Sequence, residues 1–196
     1  MGLTGLLGGA FDPPHNGHVA LARAASERFD LDRLVVLPTG DPPHKQVGTP
    51  AEIRYRLAEA AFAKLPKVEL SRHELDRPGP SYTADTVSWA ARRYGDVLFI
   101  VGADHWARFD RWHDPEGVLR YARLAVVTRP GIELPPPGDR VVLFEMPPVE
   151  VSSTGIRERV GRREPIADLV PPKVAALIQE LGLYRANGRC AERAPG

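Results

Sequence analysis

A chain of 196 residues, 43% of them hydrophobic, carries apolar material for one substantial core and predicts one globular domain. Its 26 basic and 25 acidic residues leave a net charge of +1, which excludes a wide basic face for a nucleic-acid backbone and confines any anion site to a local feature. No apolar run approaches the roughly 20 residues that would span a bilayer, no signal-like start precedes the first strand, and the lone Cys190 has no disulfide partner. The expectation is a cytoplasmic protein with no membrane or nucleic-acid partner.

In chain order, the first apolar run covers residues 3–7 and reads as a buried strand. Directly after it stands Gly8-Gly9-Ala10-Phe11-Asp12-Pro13-Pro14-His15-Asn16-Gly17-His18, followed by helical spacing at Val19, Ala22, Ala25 and Phe29. Gly8 and Gly9 would let another molecule approach the backbone closely, and His15 and His18, three apart, could project from the start of a helix. The first N–H groups of that helix and its positive dipole end would welcome a phosphate. Taken singly, the glycines read equally as a tight turn and the histidines as surface residues. Asp12, His15 and His18 are also potential metal ligands, but the helical His-Glu-x-x-His pattern is absent.

A second strand is predicted at residues 34–37, then a long connection over 39–48 of the kind that covers a ligand. Thr49-Pro50-Ala51-Glu52 reads as a helix start, with Thr49 as the cap, Pro50 at the first helical position and Glu52 three residues beyond the cap. Further strands are predicted at 68–70, 97–101, 124–127 and 141–144, with a surface loop at the proline run 134–138. Val151-Ser152-Ser153-Thr154-Gly155-Ile156-Arg157 follows the last strand and opens a helix. Three hydroxyls there and a guanidinium one turn on make a second anion-binding end, although alone such a run reads as an ordinary cap. Val174, Leu177, Ile178 and Leu181 mark a final helix, closed by Gly182 in the left-handed conformation.

The alternation of strand and helix predicts an α/β fold: a Rossmann-like doubly wound parallel sheet with flanking helices, as a single domain over residues 1–184, with 185–196 a frayed tail. Ligands of such sheets bind at the carboxyl ends of the strands, where both hydroxyl- and histidine-bearing segments fall. Neither the Gly-x-Gly-x-x-Gly fingerprint nor a Walker phosphate loop occurs.

His15-Asn16-Gly17-His18 and Ser152-Ser153-Thr154-Gly155-Ile156-Arg157 together resemble the nucleotidyltransferase superfamily marked by His-x-Gly-His and Ser-Ser-Thr-x-x-Arg motifs. Three further segments are similar to those of bacterial nicotinate mononucleotide adenylyltransferases: Pro42-Pro43-His44-Lys45, the stretch 77–86 containing Ser81-Tyr82-Thr83, and Gly102-Ala103-Asp104 continuing to Phe109 and Trp112. The resemblance runs from Leu3 to about Tyr184. It implies transfer of AMP from ATP to nicotinic acid mononucleotide, with Mg²⁺ as counter-charge, no protein-bound metal, and the oligomeric state open, a homo-oligomer included. ATP would be held by Gly8, Gly9, Ala10, Phe11, His15, His18, Gly102, Asp104, Ser153, Thr154 and Arg157. His15, His18, Lys45 and Arg157 would serve the reaction, and Lys45, Tyr82, Thr83 and Trp112 the acceptor.

Each of these has its own chemical reading beside a plainer one. Lys45 on a mobile loop can close over paired phosphates, or be a solvated lysine. The helix start at Thr83 suits a small carboxylate better than a neutral amide. Trp112 can stack on a pyridine ring or fill a core, and Asp104 can accept from ribose hydroxyls or cap a helix. Ala10 stands where the superfamily usually has Thr or Ser, which leaves only its backbone N–H for a phosphate, and Val151 replaces the usual Ile. Rival readings are the nicotinamide mononucleotide or phosphopantetheine adenylyltransferases and a nucleotide-sensing module without turnover.

Overall fold

The computed structural model describes residues 2–43, 47–128, 134 and 137–185. Six strands, β1 (Thr4–Gly9), β2 (Arg33–Pro38), β3 (Val68–Leu70), β4 (Val97–Gly102), β5 (Arg123–Val127) and β6 (Val141–Phe144), form one sheet in the order β3-β2-β1-β4-β5-β6. Every pairing is parallel, from Leu34↔Val68 at one side to Val127↔Phe144 at the other. The helices are α1 (Asn16–Arg28), α2 (Ala51–Phe62), α3 (Thr83–Tyr94), α4 (Ala103–Trp106), α5 (Pro115–Tyr121), α6 (Ser153–Gly161) and α7 (Pro172–Glu180), with a 3-10 turn at Phe109–Arg111.

Both sheet faces are covered, which is why the strands read as continuous apolar runs rather than alternating ones. Leu7, Leu34, Val36, Leu98, Ile100 and Ala125 point to one core, which α1, α2, α6 and α7 close with Ala22, Leu57, Ile156 and Val174. Their neighbours Leu6, Val35, Leu37, Phe99 and Leu124 point to the other, closed by α3, α4 and α5 through Val87, Trp106 and Val118. The period of two along each strand thus feeds two cores.

The strand order reverses between β1 and β4, and there the sheet opens. Pairing of β1 with β4 ends at Leu6↔Phe99, although the strands continue to Gly9 and Gly102. The crevice outside these two carboxyl ends is where open α/β sheets take their ligands.

Two helix ends test the punctuation read from the sequence. Gly182 has φ +61, its N–H donates to Gln179 O, and Leu183 N–H donates to Ile178 O at 3.0 Å. That double bond pattern satisfies the last carbonyls of α7, as expected of a glycine stop. The start of α2 differs from expectation. Pro50, with φ −52 and ψ 144, is the cap, α2 begins at Ala51, and no side chain caps it. Thr49 lies one residue earlier, buried, with its carbonyl accepting from Arg54 Nε at 3.0 Å. The tail after Arg185 and, within the proline run 134–138, Pro135 and Pro136 lie outside the described residues.

Candidate active site

The first phosphate segment leaves β1 through a turn in which Phe11 has φ 50, a left-handed conformation that costs a non-glycine residue about 1 kcal/mol or more. Phe11 compensates by burying its ring in the core, 2% exposed, edge-on to Phe62 and to the His18 ring at 5.2 Å. The Phe11 side chain is therefore core, and only its backbone can reach a ligand.

His15 is the N-cap of α1 and is nearly buried. The imidazoles of His15 and His18 stack at 3.7 Å, and the His15 backbone N–H donates to His18 Nδ1 at 3.2 Å. With Nδ1 accepting, the neutral ring carries its proton on Nε2, so the hydrogen bond assigns His18 as a donor at its outer nitrogen. No acidic residue occupies the first turn of α1 or of α6, which leaves both positive dipole ends uncompensated.

The late segment meets the early one directly. Ser152 caps α6 by accepting from Gly155 N–H at 3.1 Å. Ser153 Oγ donates to Pro13 O at 2.8 Å, Arg157 donates from one nitrogen to Asp12 O at 2.8 Å and from the other to Thr154 Oγ1 at 3.1 Å. A Cβ on Gly17 would stand 3.1 Å from the His15 ring and 3.1 Å from Val151 Cγ1. The glycine inside the His-x-Gly-His motif therefore lets the start of α1 pack against the segment that opens α6. His15, His18, Ser153, Thr154 and Arg157 are brought into one neighbourhood, joined to Gly8, Gly9 and Ala10 by a loop of a few residues.

That loop is held by Arg54, which sequence reasoning passed over. Arg54 is 2% exposed and donates to four carbonyls: Thr49 O at 3.0 Å, Ala10 O at 2.9 Å, Thr39 O at 2.6 Å and Gly40 O at 2.9 Å. One planar fork thereby fixes the β1–α1 connection to the β2–α2 connection. Burial lowers its pKa, opposed by the charge of Asp12, yet an arginine so bonded stays protonated. The signal was present: 54, 57, 58, 61 and 62 form the buried stripe of α2, and an arginine stands on it among apolar residues. Arg54 also borders a cleft of about 910 Å³ together with Gly40, Asp41, Pro43, Gly48 and Ala51, within the range of small-molecule sites. Lys45, expected in this connection, lies outside the described residues.

Across the β1–β4 crevice, Asp104 is exposed in the first turn of α4, just after Gly102. The Phe99 ring lies 6.2 Å from Trp112, edge to face, and 3.6 Å from where a Gly8 Cβ would be, linking the two halves. Trp112 is half-buried against Phe99 and Phe109. Tyr82 is the N-cap of α3 and Thr83 its first residue, and no side chain caps their N–H groups. The Tyr82 ring stacks at 4.2 Å on His113, which adjoins Trp112, so the acceptor candidates are also gathered.

Ser81 ties this corner to the 39–48 connection: its N–H donates to Asp41 O at 2.8 Å and its Oγ accepts from Asp41 N–H at 3.3 Å. Behind it, Glu74 accepts from Thr86 Oγ1 at 2.8 Å, and burial raises its carboxyl above the usual range despite bonds to Thr86 and Ser81. A Gly40 Cβ would fall 2.1 Å from the Glu74 carbonyl oxygen, so only glycine permits this approach. Among the described residues, no group of three or more His, Cys, Asp or Glu side chains could hold a metal ion.

Two uncompensated helix starts joined at the switch point of a parallel sheet, with imidazole and guanidinium beside them, define a protein built to grip nucleotide phosphates. The cytidylyltransferase-like family profile matches residues 6–159. A Corynebacterium kroppenstedtii protein named "Probable nicotinate-nucleotide adenylyltransferase" is 41% identical, covering 94% of this chain and 92% of its own. A Thermus thermophilus protein of the same name is 42% identical over 92% of this chain and 98% of its own. The structure of a Plasmodium falciparum nicotinic acid mononucleotide adenylyltransferase complexed with NaAD superimposes with a TM-score of 0.79, at 16% identity, over 94% of this chain and 98% of that one, and shows the shared fold. The chain belongs to the cytidylyltransferase-like family and, within it, to the nicotinate-nucleotide adenylyltransferases.

Proposed function

We infer that the chain transfers AMP from ATP to nicotinic acid mononucleotide, giving nicotinic acid adenine dinucleotide and pyrophosphate. The observation that carries the reading is the junction of the two motifs, Ser153 on Pro13 O and Arg157 on Asp12 O, which makes one anion site from two helix starts. The names of relatives sharing about two residues in five over nearly the whole chain point to the acceptor.

The acceptor's 5'-phosphate is already a nucleophile at neutral pH, so no side chain needs to attack. A phosphate oxygen bonds to the α-phosphorus of ATP as the bond to the β-phosphate bridging oxygen breaks, and pyrophosphate leaves with that electron pair. The protein's part is to align two polyanions and stabilise charge in the transition state. His18, a donor at Nε2, and His15 stand beside the α- and β-phosphates, with the N–H groups at Gly9 and Ala10. Thr154, Arg157 and the first N–H groups of α6 take the leaving pyrophosphate. Ser153 and one arm of Arg157 instead secure the loop, a division of labour that the sequence did not suggest. Asp104 receives ribose hydroxyls, Lys45 closes over the reacting phosphates, and Tyr82, Thr83 and Trp112 hold the pyridine carboxylate and ring. Mg²⁺ would be supplied with the nucleotide substrate, as counter-charge to its phosphates.

Pyrophosphate release measured with ATP and each of three acceptors tests this. Release with nicotinic acid mononucleotide in preference to nicotinamide mononucleotide and phosphopantetheine is expected. Release only with another acceptor replaces the substrate assignment, and ATP binding without release with any of them replaces turnover by sensing.

A further inference from the structure

The contact in the site that the reaction scheme leaves unused comes from the far end of the described chain. Tyr184, 172 positions from Asp12, donates its hydroxyl to Asp12 Oδ1 at 2.6 Å. Asp12 is 4% exposed, and its carbonyl already receives Arg157 at 2.8 Å. The residue is thus gripped twice, by its carboxylate from the chain's end and by its carbonyl from α6.

Asp12 sits in the middle of the β1–α1 connection, between the Ala10 carbonyl held by Arg54 and the Pro13 carbonyl held by Ser153. Asn16, at the start of α1, is tied by its N–H to Leu169 O and by its amide to Asp168 O, both in the segment leading into α7. The α7 region therefore pins this connection at two points, one of them through a side chain that can be altered by a single atom. Tyr184 itself holds φ +62, a conformation that an L-residue adopts only when its surroundings require it. The Schellman turn at Gly182 precedes it: the Leu183 N–H on Ile178 O closes α7, and the next residue reaches Asp12.

We propose that Tyr184 is a positioning residue, which holds the β1–α1 phosphate loop in register with α6 by clamping the Asp12 carboxylate. This rests on the reading of that loop as the ATP grip. Buried carboxylates tolerate the loss of a donor poorly, and a loop that must place backbone N–H groups and His15 against phosphates loses alignment with sub-ångström shifts. Removing the hydroxyl alone leaves the ring's packing in place.

Tyr184→Phe is compared with the native chain in steady-state pyrophosphate release, with ATP and nicotinic acid mononucleotide varied in turn. A fall of roughly ten- to hundredfold in kcat/KM for ATP is expected, with the acceptor KM unchanged. Asp12→Ala should reproduce the effect, and the double variant should be no worse than the poorer single one, because the tyrosine acts through that carboxylate. Hydrogen exchange of residues 10–16, which needs no substrate, should quicken in Tyr184→Phe without global loss of protection. Native kinetics and exchange in Tyr184→Phe, multiplying effects in the double variant, equal losses toward both substrates, or loss of cooperative melting each overturn the proposal. A native chain without turnover would instead end the functional reading, and exchange in the loop would still decide the role of Tyr184.

Discussion

Replacing Arg54 by methionine keeps an unbranched side chain, shorter than arginine's, and removes all four of its hydrogen bonds. A hydrogen bond from a charged donor contributes about 1.5–3 kcal/mol, but the four are not independent, and removal also relieves the burial of the charge. Stranding the partners of a buried charge typically costs about 3–5 kcal/mol, and that range is the expected loss here. For a domain of this size roughly 2–4 °C accompanies each kcal/mol, so the melting temperature should fall by about 6–20 °C. The ATP KM should rise in the same variant, because the Ala10 and Thr39 carbonyls belong to separate connections that the guanidinium joins. Arg54→Lys should lie between the two: an ammonium keeps the charge but cannot present a planar fork to four carbonyls. Circular-dichroism melting at neutral pH, followed by kinetics well below the transition, measures both quantities. If Arg54→Met melts within about 2 °C of the native chain and keeps its ATP KM, the guanidinium does not hold the loops together.

Gly17→Ala separates helix propensity from packing: alanine would stabilise an open helix position by about 1 kcal/mol, whereas a Cβ at 3.1 Å from both His15 and Val151 must push them apart. A lower melting temperature with a raised ATP KM is expected, and a higher one would mean that the two helix starts are not in close contact. Glu74→Gln probes the buried carboxyl through thermal melts across pH. Burial raises its folded pKa above the unfolded 4.5, so the neutral form is favoured in the fold, and the native chain's stability is full below that value and declines as pH rises through the folded one. Glutamine cannot ionise, so the variant should gain on the native chain toward alkaline pH and match it at acid pH; a constant difference would exclude titration as the cause.

The sheet was legible because its strands are buried on both faces, and six short apolar runs separated by helical spacing leave few other folds. Gly182 was legible as well, since its left-handed conformation is a local property of one residue type. Thr49 was misplaced because Pro50 takes the cap position and the Thr49 carbonyl is held by Arg54, a tertiary partner that sequence cannot see. The phosphate motifs could be located and their charges listed, but which arms face a ligand and which hold the protein depends on carbonyls 140 or more positions away, as for Ser153 on Pro13 and Arg157 on Asp12. Arg54 was readable in principle as a charge on an apolar stripe of α2. Its role was not, because its partners are backbone atoms, whose positions leave no trace in residue types. His113 likewise carries no pattern of its own and gains meaning only from the stacked Tyr82.

The proposed reaction requires the starts of α1 and α6 to form one grip whose donors act on the phosphates during transfer. Its most direct test is the turnover of His18→Ala with saturating ATP and nicotinic acid mononucleotide, beside a melting curve. Loss of one transition-state donor should slow pyrophosphate release about 10²-fold or more, with the melting temperature little changed. A His18→Ala enzyme that turns over at the native rate would contradict the account.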